Sequence, residues 1–202
     1  MIASKVVALV AFAVSVHAAS VGGFNTTSAD FVPFLAMGQV AAVELFGSRN
    51  TQTRLIAQDL NGAIAQYGIV NGPFTTGQTQ FGSILVPATE DILHGTPIAF
   101  TAIGNADQGF HVYFLSSSNR LREYKWTATV GGRYGSGTQC PECIDNMGYT
   151  VATGSNQWLY ALENPTTNVL RVGFVSPGIP GTIVEAVKVN DASPWQLAPL
   201  PN

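Results

Sequence analysis

Three segments of the chain can be laid over one another, and this internal repeat constrains the fold more than any other feature of the sequence. The first holds Gln39-Val40-Ala41-Ala42-Val43, Thr53-Arg54-Leu55-Ile56-Ala57-Gln58 and Ala63-Ile64-Ala65-Gln66-Tyr67. The second holds Pro97-Ile98-Ala99-Phe100-Thr101, Phe110-His111-Val112-Tyr113-Phe114-Leu115 and Arg120-Leu121-Arg122-Glu123-Tyr124-Lys125-Trp126. The third holds Trp158-Leu159-Tyr160-Ala161-Leu162, Leu170-Arg171-Val172-Gly173-Phe174-Val175 and Thr182-Ile183-Val184-Glu185-Ala186-Val187. Each then passes a Gly/Pro-containing bend to reach an aromatic residue, Phe74, Tyr134 and Trp195 in turn. Apolar residues alternate or come in short runs broken by Gly, Pro, Asn and Ser, which is the pattern of strands, and no stretch carries a sustained helical stripe. The weak exception is residues 30–37, an apolar cluster that suits a short helical turn or an extra strand.

Repeats of about 50 to 60 residues with three clear strands and a weaker fourth have the length and content of β-propeller blades. The expected fold is therefore all-β and β-propeller-like, with repeats near residues 39–87, 96–146 and 156–202. A blade cannot bury both faces of its sheet alone, so blades stack, each covering its neighbour. Propellers close with about 4 to 8 blades, whereas three are visible here. Either two chains pair as a homodimer to complete a ring, or residues 20–38 and the segment around 140–154 complete a smaller fold.

Residues 1–18 read as a secretory signal peptide: Lys5, then the apolar run over 6–14, then Val16-His17-Ala18 before a natural cut at Ala18 or Ala19. Residues 19–38 form an N-terminal segment, and the protein is expected outside the cell. Only 10% of residues are charged and the formal charge is −3, which argues against nucleic-acid or anionic-membrane partners, since both call for a basic patch. Cys140 and Cys143 stand in Cys-Pro-Glu-Cys. In an oxidising compartment a short-loop disulfide is the leading reading; a free dithiol is the next. A metal site would have too few ligands. Asn25-Thr26-Thr27 is the usable glycosylation sequon, because proline blocks Asn164-Pro165-Thr166.

Arg54 and Gln66 flank the first hairpin turn with a midpoint at Leu60, His111 and Glu123 the second with a midpoint at Ser117, and Arg171 and Glu185 the third with a midpoint at Gly178. Positions symmetric about a turn oppose each other on one face of a hairpin. Each repeat thus sets a nitrogen-rich or cationic side chain against a carboxylate or amide, with Phe74, Tyr134 or Trp195 arriving later. Charged partners give strong hydrogen bonds to adjacent hydroxyls and an aromatic face covers the apolar side of a sugar ring. The structural reading of the same residues is a cross-strand pair worth about 0.2–1 kcal/mol beside a core aromatic.

The order of apolar first strand, Arg-Val-Tyr-like second strand, short turn and Arg-Glu-containing third strand resembles the fungal fucose-specific lectins. The resemblance is best in Phe110-His111-Val112-Tyr113-Phe114 with Leu121-Arg122-Glu123-Tyr124-Lys125-Trp126, and again in Leu170-Arg171-Val172 with Ile183-Val184-Glu185. It implies a six-bladed propeller with fucose, on a fucosylated glycan, held between blades by an Arg, a Glu and a Trp or Tyr. It carries Arg171, Glu185 and Trp195 over as a full trio. His111 replaces Arg and Tyr134 replaces Trp in the second repeat, while Gln66 replaces Glu and Phe74 replaces Trp in the first. It implies no cofactor.

Catalysis is not expected: no paired carboxylates stand in a glycosidase-like context, and no Gly-x-Ser-x-Gly elbow is present. A competing class is a secreted interaction or effector protein that uses the scaffold to bind a protein or a cell wall rather than free sugar. The first expectation is open to direct measurement. The intact mass of secreted material should correspond to a chain beginning near Ala19 and lacking two hydrogens for the Cys140–Cys143 bond; an uncleaved N-terminus with free thiols is the opposite outcome.

Overall fold

The computed structural model describes residues 36–46, 51–70, 78–104, 108–135, 137–154, 157–164, 166–190 and 192–201. Among these described residues, twelve strands form three four-stranded antiparallel sheets, each a meander in chain order. Sheet 1 comprises β1 (Ala36–Phe46), β2 (Thr51–Asp59), β3 (Ile64–Val70) and β4 (Gln78–Val86). Sheet 2 comprises β5 (Ala99–Ile103), β6 (Gly109–Leu115), β7 (Leu121–Thr127) and β8 (Gly131–Tyr134). Sheet 3 comprises β9 (Tyr160–Asn164), β10 (Val169–Phe174), β11 (Val184–Val189) and β12 (Gln196–Pro199). The first strands β1, β5 and β9 lie next to one another in that order, as the inner strands of successive blades do. Ala36 and Met37 open β1 as strand, so a helical turn does not reach them; residues 30–35, the signal-like segment and Asn25 lie outside the described residues.

Side chains alternate between the two faces of each sheet, and one rule governs their packing. The face that carries Arg54, His111 or Arg171 is here called the forward face. Ile56 and Ile64 on the forward face of sheet 1 meet Phe110, Val112, Phe114 and Tyr124 on the rear face of sheet 2. Tyr113, Leu115 and Leu121 on the forward face of sheet 2 meet Leu170, Val172, Phe174, Val184 and Ala186 on the rear face of sheet 3. Sheet 2 is therefore covered twice, and β6, Gly-Phe-His-Val-Tyr-Phe-Leu, is buried at every position. Strand β11 instead alternates buried positions with half-buried or exposed ones, as a strand covered on one side should.

The hairpin turns explain the strand register. Backbone bonds from Asp59 to Ala63 and from Ser116 to Arg120 leave three residues at each tip. Gly62 and Asn119 there have φ of 95° and 58°, the left-handed residue that a three-residue hairpin loop requires. The turn centres consequently fall at Asn61 and Ser118, and in sheet 3 at Ile179, one residue beyond the sequence-based midpoints.

Between sheets 2 and 3 the chain makes an insert, tied by the Cys140–Cys143 disulfide and one 3-10 turn, Ile144–Met147. Both cysteines are buried. The insert is pinned to β7 from two sides: Asp145 accepts from the Arg122 guanidinium and from the Glu123 backbone N–H, while Glu123 Oε2 accepts the Ile144 N–H at 2.8 Å. Burial pushes the Asp145 carboxyl above its usual range, with Arg122 opposing.

Glu123 is 1% exposed and joins His111, β7 and the insert. Removing one member of a buried hydrogen-bonded pair costs about 3–5 kcal/mol, so Glu123→Ala should lower unfolding free energy by about that amount. Glu185→Ala should cost less, about 1 kcal/mol, because its partner Arg171 is nearly half exposed. Urea unfolding of the two variants measures the contrast; equal losses would mean that Glu123 does not anchor the insert.

Candidate functional site

The three sequence-predicted pairs do form, but diagonally. Arg54 lies directly opposite Gly68, His111 opposite Lys125 and Arg171 opposite Val187. The one-residue displacement of the turn centres makes each pair neighbours two residues apart on the same face, still within reach. Arg54 Nη1 donates to Gln66 Oε1 at 3.0 Å, and His111 Nδ1 lies 2.5 Å from Glu123 Oε1. Arg171 holds Glu185 in a fork, Nε to Oε2 at 2.9 Å and Nη2 to Oε1 at 2.7 Å, the geometry that favours Arg over Lys.

Of the aromatics expected to complete the trios, Tyr134 and Trp195 are not on the same face as the pair. Tyr134 lies opposite Tyr124 on the rear face of sheet 2, and Trp195 packs among Leu170, Val172 and Ala186 on the rear face of sheet 3, only 6% exposed. Phe74 lies outside the described residues. The reason is parity: adjacent strands of a sheet share faces by register, and these residues fall on the other phase. Pair and aromatic meet across sheets instead. The forward pair of sheet 1 faces the Tyr124–Tyr134 side of sheet 2, and the pair of sheet 2 faces the Trp195 side of sheet 3. Arg171, Glu185 and Trp195 are therefore not one cluster.

In the first cleft the Arg54 guanidinium carbon sits 5.1 Å from the Phe110 ring centroid, and Gln66 passes a hydrogen bond on to Ser83 Oγ. Burial pulls the Arg54 pKa down, against Tyr124, and pushes the Tyr124 phenol up.

In the second cleft the insert reaches in. Glu142 lends its backbone carbonyl to Lys188 Nζ at 2.7 Å and to the Trp195 indole N–H at 3.2 Å, and its carboxylate to Arg133 at 2.5 Å and Lys125 at 3.5 Å. Burial raises the Glu142 carboxyl, but its own backbone N–H together with Lys125 and Arg133 holds it below the usual range. Beside this contact remains an open pocket of about 280 Å³, lined by Ile103, His111, Lys125, Lys188, Asn168 and Asn190, with Glu163 at its edge. Apart from His111, sequence reasoning missed this lining. Its signal was the recurrence of Asn at the ends of sheet-3 strands: Asn168 and Asn190 have φ of 52° and 67°, a left-handed conformation that Asn tolerates.

On the outer face of sheet 3, Tyr160 Oη donates to Glu185 Oε1 at 2.5 Å. Burial, then that hydrogen bond, pushes the Tyr160 phenol up to about 12. Its ring lies flat over Gly173, where a Cβ would overlap it. Among the described residues no group of three or more His, Cys, Asp or Glu is placed to hold a metal ion.

No family model matches the chain, and no curated protein matches it by sequence. Solved structures do. A fungal lectin from Aleuria aurantia, described as a six-bladed β-propeller with a novel mode of fucose recognition, is 22% identical with a TM-score of 0.56, over 82% of this chain and 49% of its own. AofleA from Arthrobotrys oligospora is 19% identical with a TM-score of 0.60, over 82% of this chain and 43% of its own. A lectin from Burkholderia pseudomallei is 19% identical with a TM-score of 0.56, over 81% and 40%. The chain thus spans about half the length of these proteins or less. The three sheets are blades, and the fold matches half of a six-bladed β-propeller.

Proposed function

We propose that the protein is a secreted, non-catalytic carbohydrate-binding protein that takes a neutral sugar, fucose or a fucosylated glycan first among them, in the clefts between blades. The observation that carries this reading is the recurrence of one device. At the same position of every blade a nitrogen-bearing side chain is held by an amide or carboxylate, and in two clefts it faces the aromatic-bearing side of the next blade. Solved structures of the same fold include a lectin in complex with α-methyl fucoside.

The pocket between blades 2 and 3 is the binding place supported best. Its volume of about 280 Å³ suits a single sugar ring better than a drug-sized ligand, whose sites begin near about 300 Å³. Two ammonium groups, an imidazole and two amides offer donors to ring hydroxyls, while Leu170 and Ile103 supply apolar wall. Glu123 is an anchor rather than a ligand here, since His111 and the Ile144 N–H already occupy its carboxylate.

Calorimetric titration of L-fucose, with other common monosaccharides in parallel, tests the reading. The wild type should bind fucose, and Asn168→Gly, which keeps the left-handed backbone but removes the amide, should weaken that binding about 3- to 10-fold, the value of about 0.5–1.5 kcal/mol for one neutral hydrogen bond. Melting curves should coincide. A wild type silent toward every sugar would return the lining residues to a structural role and favour the protein- or wall-binding class.

A further inference from the structure

The two faces that no described sheet covers are alike in position to faces that are covered. By strand pairing, Leu162 of β9 stands where Val43 and Thr101 stand in sheets 1 and 2, beside Arg171, Arg54 and His111 respectively. Thr101 is buried and Val43 packs against the core between blades 1 and 2, yet Leu162 is 50% exposed, with Val189 on the same face 49% exposed. At the other end, Leu55 of β2 stands where Val112 and Val172 stand, both fully buried between blades. Tyr67 stands where Tyr124 stands, the residue that faces Arg54 in the first cleft. Leu55 and Tyr67 share the rear face of sheet 1 with Val40 and Ile84, which are 46% and 53% exposed.

A forward face receives a rear face in both blade contacts within the chain. The uncovered forward face belongs to sheet 3 and the uncovered rear face to sheet 1. We propose that these are the two halves of one interface and that a second copy of this chain occupies both, closing a six-bladed ring about a twofold axis. Each copy then gives its forward face to the other and takes the other's forward face on its own sheet 1, so no face of the described sheets is left over and the ring is closed. Two copies of the three described sheets give six blades, inside the range of about 4 to 8 at which propellers close; three copies would give nine.

The pairing also changes what Arg171 and Glu185 are. In one copy they lie on an open face with Tyr160. Across the interface they meet Tyr67 of the second copy, as Arg54 meets Tyr124, and become the polar wall of a cleft that neither copy holds alone. Only this last step rests on the sugar-binding reading.

Sedimentation equilibrium of the full chain without sugar is the test. The wild type should sediment at twice the single-chain mass. Leu162→Asp on sheet 3 and Ile84→Asp on sheet 1 should each shift the population to single chains with an unchanged far-ultraviolet spectrum, and Val130→Asp, on the exposed β7–β8 turn, should not. Mixing the first two variants should restore pairs, because one intact half-interface survives from each. A wild type at single-chain mass throughout, a ring of another size, or a double mass that survives both substitutions overturns the proposal. Sugar titration fails or succeeds independently: single chains that bind fucose refute the interface alone, and pairs that bind none refute only the sugar reading.

Discussion

Everything in this structure follows from the burial of a sheet on both faces. A four-stranded antiparallel sheet with apolar residues on one face can rest on solvent with the other, but β6 has Phe110, Val112 and Phe114 on one side and Tyr113 and Leu115 on the other. Neither side can be left wet at about 25 cal/mol per Å² of apolar surface. The flanking blades exist, physically, to cover that strand. Their own outer faces inherit the same problem in a milder form, with Tyr, Leu and Val diluted by Arg171, Glu185 and glycine.

Glu123 and Lys125 enter this apolar stack with partners in place. Glu123 is buried between blades and has both carboxylate oxygens engaged, one by His111 and one by a backbone N–H of the insert. The disulfide lies in the same insert, and Ile144, the residue after its second cysteine, supplies that N–H. Glu142 on the same loop meets Lys125, Arg133 and Lys188, so the cations of the second cleft are compensated by a segment outside the blade repeat. In the first cleft Arg54 donates to the side-chain amides of Gln66 and Gln52 and lies over the Phe110 ring. The same blade position thus carries different chemistry in the two clefts.

Much of this was legible in the sequence because the repeat is carried by alternation, and alternation is a direct record of the pleat. Strand positions, the three hairpins and the equivalence of Arg54, His111 and Arg171 could be read from it. The register could not be read to the residue, since a turn of three residues with Gly62 or Asn119 in the left-handed region looks, in a string of letters, like a turn of four. The partner of each pair was also out of reach. An aromatic ten residues on, such as Trp195 after Glu185, is near in the chain but on the far side of the sheet, and its true neighbours come from another blade. The insert gave a motif, Cys-Pro-Glu-Cys, without the information that Glu142 would project into a cleft.

Blade 2 is a wall shared by two rooms. His111 and Lys125 line the cleft on its forward face, and Tyr124 and Tyr134 line the cleft on its rear, with only the backbone of one sheet between them. Any displacement of the β6–β7 backbone carries both linings with it, toward one neighbour and away from the other. Adjacent clefts in such a stack have a wall in common, although none of the side chains named above lines both.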